Sequence, residues 1–428
     1  MKSTLTLLLL TCGSFSFAQS IDKIINAAEA ERIERVLSSD DMQGRKTFTP
    51  GNDKAAAFIA DEFAKSKLKF FGNADSYFQE ISMIKAKPVE ISGMLDTDSL
   101  NTTNVAANTT ATEININSLK DFEVVVVKKD DDFSKIVFPL FDMEKNLLIL
   151  VDTAHSKRFK GMQRFTGNAK FSAAVSQIFV LTANLNPASF TLHIKNQLTE
   201  QKLKNVVAVL PGKTKKDEYV VFSGHYDHLG IGKSNKDQDS VYNGANDDAS
   251  GTAAVIMLSQ YFSRLKNNER TIIFVAFTAE EIGGFGSRYF SKKLDPAKVV
   301  ALFNIEMIGT ESKWGTNSAY ITGYEKSDFG KILQDNLAGS AFHFEPDPYP
   351  KQNLFYRSDN ATLAELGVPA HTISTSKMDT EKFYHTQEDE IETLDMNNMA
   401  EIIKAIAISS VTILSGKDTP TRVVIIGN

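Results

Sequence analysis

Five short stretches in the second half of the chain gather residue types that bind divalent metals and move protons. They are Gly224-His225-Tyr226-Asp227-His228, the run 243–251 with Asp247 and Asp248, the pair Glu280-Glu281, Glu306, and Tyr384-His385. Imidazole nitrogen and carboxylate oxygen together suit zinc, which tolerates open coordination positions. Five such ligands are too many for one ion that keeps a vacant position. If one carboxylate bridges, they divide between two ions roughly 3.5–4 Å apart, as in two-metal hydrolases. Adjacent glutamates at a corner point in different directions, so one can bind metal while the other passes a proton from water to a leaving amine. That chemistry is peptide-bond hydrolysis.

The elements that must carry these residues can be read from the alternation of patterns after residue 206. Strands are expected at 219–223, 271–277, 299–305, 319–322 and 368–373, and helices at 249–262, 327–337 and 396–414. This is the signature of an α/β domain with a mostly parallel central sheet flanked by helices. Ligands of such sheets bind beyond the carboxyl ends of the strands. His225, Glu280, Glu281 and Glu306 each follow a strand, and Asp247 and His385 lie in loops that can reach the same edge. Taken singly, each motif has a plainer reading. His-x-Asp can be a surface pair, Glu280 and Glu281 a helix start favoured by the macrodipole, and Asp247 and Asp248 an N-cap. Their common rim and their order are what point to a metal site. His155, His193, His228 and His343 have no ligand-like context and are assigned no function, and Trp314 reads as a loop residue.

From about residue 206 to 415 the chain resembles the zinc aminopeptidase family that includes glutamate carboxypeptidases, glutaminyl cyclases and the transferrin-receptor ectodomain. The resemblance is carried by G-H-Y-D-H-L-G, Y-N-G-A-N-D-D-A-S-G, T-A-E-E-I-G, N-I-E-M-I-G and F-Y-H-T in that order, and Gly44-Arg45 and 51–55 resemble the family's lead-in. It implies a zinc exopeptidase-like fold with two zinc ions. His225 and Glu306 would hold one ion and Glu281 and His385 the other, with Asp247 bridging. Glu280 would be the general base, and Tyr384 would donate to the oxyanion. Asp227 would hydrogen-bond His225 and fix its tautomer, Asp248 would follow Asp247 through a non-proline cis peptide, and Arg357 would contact substrate. Two departures stand out. Glu306 occupies a position most members fill with Asp, and the R-S-D-H segment ends in Asn360, with His371 nearby either as a stand-in or as a buried structural residue. The implied activity is that of an aminopeptidase acting on peptides, with carboxypeptidase or dipeptidase action open on the same scaffold. The alternatives are a one-zinc glutaminyl cyclase, which typically has Trp where this chain has Tyr384, and an inactive binding ectodomain, which would have lost ligands.

The rest of the chain sets the context. Lys2, the apolar run 5–10 and the small residues up to Ala18 read as a secretory signal peptide, so the protein is expected to be exported, to the periplasm or beyond. Cys12, the only cysteine, also permits a lipoprotein reading, but Thr11 before it is bulky for such a site, and cleavage near Ala18 fits better. Removing 1–18 would leave no thiol. A net charge of −6 without any basic block gives no footing for nucleic acid, and no later stretch has the roughly 20 apolar residues of a membrane span. The expected organisation is the signal (1–18), N-terminal helices packing on the catalytic core (19–81), a mostly β insert (82–200), the catalytic domain (201–417) and a tail (418–428). Within the insert, 101–112 reads as an exposed loop.

Overall fold

The structure, a computed structural model, describes residues 21–425; the expected signal peptide lies outside the described residues. The chain forms two compact units, one made of residues up to 81 together with those from 203 onward, the other of residues 82–202.

The first unit is built on helices α1 (Ala27–Leu37) and α2 (Pro50–Lys65) and an alternating series: β1 (Lys215–His225), α3 (Ser250–Leu265), β2 (Arg270–Phe277), β3 (Val299–Ile305), β4 (Ser318–Ile321), α4 (Phe329–Asn336), β5 (His343–Pro346), β6 (Ala370–Ser374) and α5 (Met396–Ser409). Across the sheet the order is β5-β4-β6-β3-β1-β2, followed by the strand Phe190–Leu210. The β1–β2, β1–β3, β3–β6 and β4–β5 pairs are parallel. The β4–β6 pair and the pairing of β2 with Phe190–Leu210 are antiparallel. A largely parallel sheet between helices follows from the sequence of its central strands. Every residue of β2 and β3 is buried, as expected for near-continuous apolar runs covered on both faces. Alternate residues serve opposite cores: Val220 and Phe222 join the α3 side, while Val221 faces the other way. Helix α3 is buried except at Gln260, Arg264 and Leu265, and Phe222 stacks on its Phe262.

Two glycines let this helix start against the strand ends. A Cβ on Gly251 would stand 2.0 Å from the Ile305 carbonyl oxygen, and one on Gly224 would stand 2.9 Å from the Gly251 backbone. The first turn of α3 therefore meets the end of β1 and the end of β3 backbone to backbone. No helix among the described residues is long and apolar enough to cross a membrane.

The second unit holds a four-stranded sheet in the order Val105–Asn108, Gln177–Thr182, Leu147–Asp152, Glu123–Val127, whose last two pairings are parallel. Parallel strands need crossovers, and the helices Phe133–Leu140 and Ser156–Thr166 supply them; these helices had not been read from the sequence. The expectation of an exposed loop at 101–112 is corrected. Val105–Asn108 is a strand antiparallel to Gln177–Thr182, and Val105, Ala106, Ala107, Thr109 and Thr110 are buried, because the small residues of this stretch fit against the sheet where bulkier ones would not.

Candidate metal centre

His225 is the last residue of β1 and is fixed from both sides. Its amide donates to Asp248 Oδ2 at 3.0 Å, and its carbonyl accepts from the Thr252 hydroxyl at 2.8 Å. Its ring Nδ1 lies 3.1 Å from the carbonyl oxygen of Asp227, which leaves Nε2 facing Asp247 Oδ1 at 3.2 Å. Asp248 Oδ1 also accepts the amides of Gly251 and Met307, each at 3.0 Å. One buried carboxylate thus clips the ends of β1 and β3 to the first turn of α3. The Asp247–Asp248 peptide bond is cis, as the resemblance implies. Asp389 holds the approach to it, accepting the amide of Asn246 at 2.8 Å and that of Asp247 at 3.0 Å.

The turn after β2 is set by Asp227. Its carboxylate accepts the amides of Glu280 at 3.1 Å and Glu281 at 3.3 Å, while its nearest oxygen is 3.9 Å from His225 Nδ1. The expected hydrogen bond of Asp227 to His225 is made through its backbone. Its carbonyl oxygen orients the His225 ring, because its carboxylate is already engaged by the two glutamate amides. The carboxylate of Glu281 bridges two imidazoles, with Oε1 2.8 Å from His228 Nδ1 and Oε2 3.2 Å from His385 Nε2. The same His385 nitrogen stands 3.2 Å from Asp247 Oδ2. The side chain of Glu280 has no hydrogen-bond partner among the described residues. Glu306, after β3, anchors its amide on the Ile373 carbonyl at 3.1 Å, and its carboxylate meets Asn304 Nδ2 at 3.4 Å. Ala279, Met307 and His385 all have positive φ, 62°, 53° and 58°. Non-glycine residues seldom adopt this region and do so mostly where the surroundings impose it.

The spacings around Asp247 are those of ligands sharing an ion. Atoms held about 2.0–2.2 Å from a tetrahedral zinc stand about 3.3–3.6 Å from one another. His225 Nε2, Asp247 Oδ2 and His385 Nε2 are buried atoms without a hydrogen-bond partner, and such orphans are rare in folded proteins unless an ion or water completes them. His228, Asp247 and Glu281 also offer atoms close enough to share one ion. His228 Nδ1, however, sits at hydrogen-bond distance from Glu281, whereas His385 Nε2 is equally spaced from two carboxylate oxygens. The residues around Asp247 therefore fit a divalent cation, with His228 steadying Glu281. The electrostatics agree. Burial works to lower the pKa of His385, yet the carboxylates of Asp247 and Glu281 hold it up at about 10. Burial pushes Asp227 up to about 7 and Asp389 up to about 6, and it pushes Glu306 up to about 7.

Tyr384 is exposed and stacks on the His385 ring, with centroids 3.9 Å apart. Burial of its hydroxyl and the surrounding carboxylates raise its pKa, so it remains a donor. Arg357 has an exposed side chain with no hydrogen bond into the cluster among the described residues. Of the positions named for substrate or catalysis, it is the one the structure does not bring to the others. Asn360 is a core residue. It donates to the carbonyls of Phe355 at 2.8 Å and Ala370 at 3.1 Å and accepts from Thr372 at 2.9 Å. His371 is structural too, bonded to the Thr322 carbonyl and the Ser327 hydroxyl and stacked on Phe329. The reading of His228 as functionless is corrected, since its buried ring braces Glu281. Asp389 was missed as well. For His228 the usable signal was its place three residues after His225 in the same turn; for Asp389 there was none beyond its nearness to His385.

Residues 205–409 match Peptidase family M28. A probable zinc metalloprotease of Pyricularia oryzae is 36% identical over 113 residues, 26% of this chain and 22% of its own length. Aminopeptidase YwaD of Bacillus subtilis is 25% identical over 221 residues, 49% of this chain and 44% of its own length. The chain thus spans less than half the length of either relative. The solved structure of an aminopeptidase from Aneurinibacillus sp. strain AM-1 shares the fold, with a TM-score of 0.54 at 18% identity, covering 96% of this chain and 98% of that one. All five residues of the imidazole and carboxylate set fall inside the segment that matches peptidase family M28.

Proposed function

We propose that the protein is an exported exopeptidase that uses two zinc ions, and specifically an aminopeptidase. The observation that carries this reading is the position of Asp247. Its two oxygens stand 3.2 Å from two different histidine nitrogens, His225 Nε2 and His385 Nε2, both of them buried atoms without a hydrogen-bond partner. In this reading His225 and Glu306 would hold one ion and Glu281 and His385 the other, with Asp247 available to both. Zinc held in this way supplies Lewis acidity, polarising a carbonyl and making water acidic near neutral pH. The chain's own groups do the rest. Glu280, whose carboxylate is unengaged and whose amide is fixed by Asp227, takes the proton of the attacking water and delivers it to the departing amine. The Tyr384 hydroxyl donates to the carbonyl oxygen as negative charge builds there. Export rests on the N-terminal segment 1–18.

The test is zinc stoichiometry together with a panel of free and N-blocked peptides assayed with and without a chelator. Two zinc ions per chain and chelator-sensitive cleavage of free N-termini alone are expected. One ion with cyclisation of N-terminal glutamine would instead make the protein a cyclase, and no metal and no turnover would make it a binding protein.

A further inference from the structure

The short turn Asp40–Arg45 between α1 and α2 has three successive residues with positive φ: Gln43 at 52°, Gly44 at 62° and Arg45 at 49°. L-residues visit this region singly and seldom in a row. Glycine is required at 44, where a Cβ would stand 2.5 Å from the Tyr242 carbonyl oxygen and 2.6 Å from that of Gly230. The outcome of this turn is that Arg45 points inward and is fully buried. Its Nε donates to the Tyr226 carbonyl at 2.8 Å, Nη1 to the carbonyls of Leu37 at 2.7 Å and Asn243, and Nη2 to that of Gly244 at 2.8 Å. Its own carbonyl accepts the His228 amide at 3.3 Å and Asn52 Nδ2 at 3.0 Å.

These partners are not scattered. Tyr226 lies between His225 and Asp227, His228 braces Glu281, and Asn243 and Gly244 lead into Asp247. We propose that Arg45 is a positioning residue for the metal centre, its planar fork holding the His225 and Asp247 segments at the spacing at which both reach one ion. The inference rests on the zinc reading above. A guanidinium suits the task because it presents five donors in a fixed plane, whereas a lysine ammonium cannot meet carbonyls from three segments in one geometry.

A second buried arginine provides the control. Arg270, at the start of β2 and so at the opposite end of the strand from Glu280, is also nearly fully buried. It bonds the Ile413 carbonyl at 2.7 Å and Glu218 at 2.6 Å. The experiment compares R45K, R270K and wild type by zinc affinity, read from competition with a chromophoric chelator, alongside urea unfolding. R45K is expected to bind zinc about 10–100-fold more weakly, the usual cost of losing a group that orients metal ligands. R270K is expected to lose stability and keep wild-type zinc affinity. Equal zinc affinity in R45K and wild type, or equal weakening in R45K and R270K, overturns the proposal. Absence of zinc binding in wild type defeats the zinc reading instead. Should R45K fail to fold, N52A decides. It removes the hydrogen bond on the Arg45 carbonyl, and severalfold weaker zinc binding supports the proposal while unchanged affinity overturns it.

Discussion

Two neighbouring glutamates with opposite surroundings permit a sharp test of the division of labour. Glu281 has both oxygens engaged, 2.8 Å from His228 and 3.2 Å from His385, whereas Glu280 is tied down only through its backbone, its amide donating to Asp227 at 3.1 Å and its carbonyl accepting from Gly283 and Gly284. Changing Glu280 to Gln therefore disturbs neither the fold nor the imidazole and carboxylate set and removes only the capacity to accept a proton. General bases contribute about 10²–10⁴-fold, so E280Q should lose about 10³-fold in kcat, or about 4 kcal/mol of barrier. Its zinc content and urea midpoint should match wild type. E281Q should do the reverse, releasing zinc into a chelator and losing activity in proportion. The assays are metal analysis by mass spectrometry on folded protein and turnover of an aminoacyl chromogenic substrate. An E280Q protein that loses zinc, with activity tracking the residual metal, would refute the reasoning and exchange the two roles.

Other consequences are as direct. D389A strips two buried amides of a charged acceptor, each bond worth about 1.5–3 kcal/mol, so urea unfolding should show a loss of about 3–6 kcal/mol; a loss under 1 kcal/mol would contradict the picture. H371A leaves Ser327 and the Thr322 carbonyl without their partner, so it should lower the melting temperature while zinc content and turnover per folded molecule stay at wild-type values. In the second unit, Lys170 donates to Asn108 and to the Thr166 carbonyl, both at 2.6 Å, and burial pulls its ammonium from 10.5 down to about 8. The unfolded chain thus binds more protons than the folded one between pH 8 and 10.5. Stability relative to K170M should rise with pH across that window by up to about 3 kcal/mol and be flat below it. A stability difference that does not change between pH 7.5 and 10 would exclude this.

The sheet and the rim of the site were legible because their physics is local. Central parallel strands must read as unbroken apolar runs, and the loops that follow them are where His225, Glu280, Glu281 and Glu306 stand in the sequence. What was illegible depends on partners through space. An aspartate that accepts backbone amides looks the same in sequence as one that caps a helix, so neither the Asp227 bonds to Glu280 and Glu281 nor the hold of Asp389 on Asp247 could be read. His228 was hidden by its neighbour, the stronger His-x-Asp signal at His225. In the second unit, the eight residues of Phe133–Leu140 are too few to establish a helical period, and the polar composition around Val105–Asn108 masked a short strand.

The boundary between the two compact units carries a practical corollary. The chain leaves the first unit after Ile81 and returns at Leu203, and the strands carrying these two points, Phe78–Leu95 and Phe190–Leu210, are neighbours. Val207 donates to the Tyr77 carbonyl at 2.8 Å just inside the cut. A tight Asn-Gly hairpin would rejoin the polypeptide there, and splicing out residues 82–202 would leave every imidazole and carboxylate of the centre on one continuous, shorter chain.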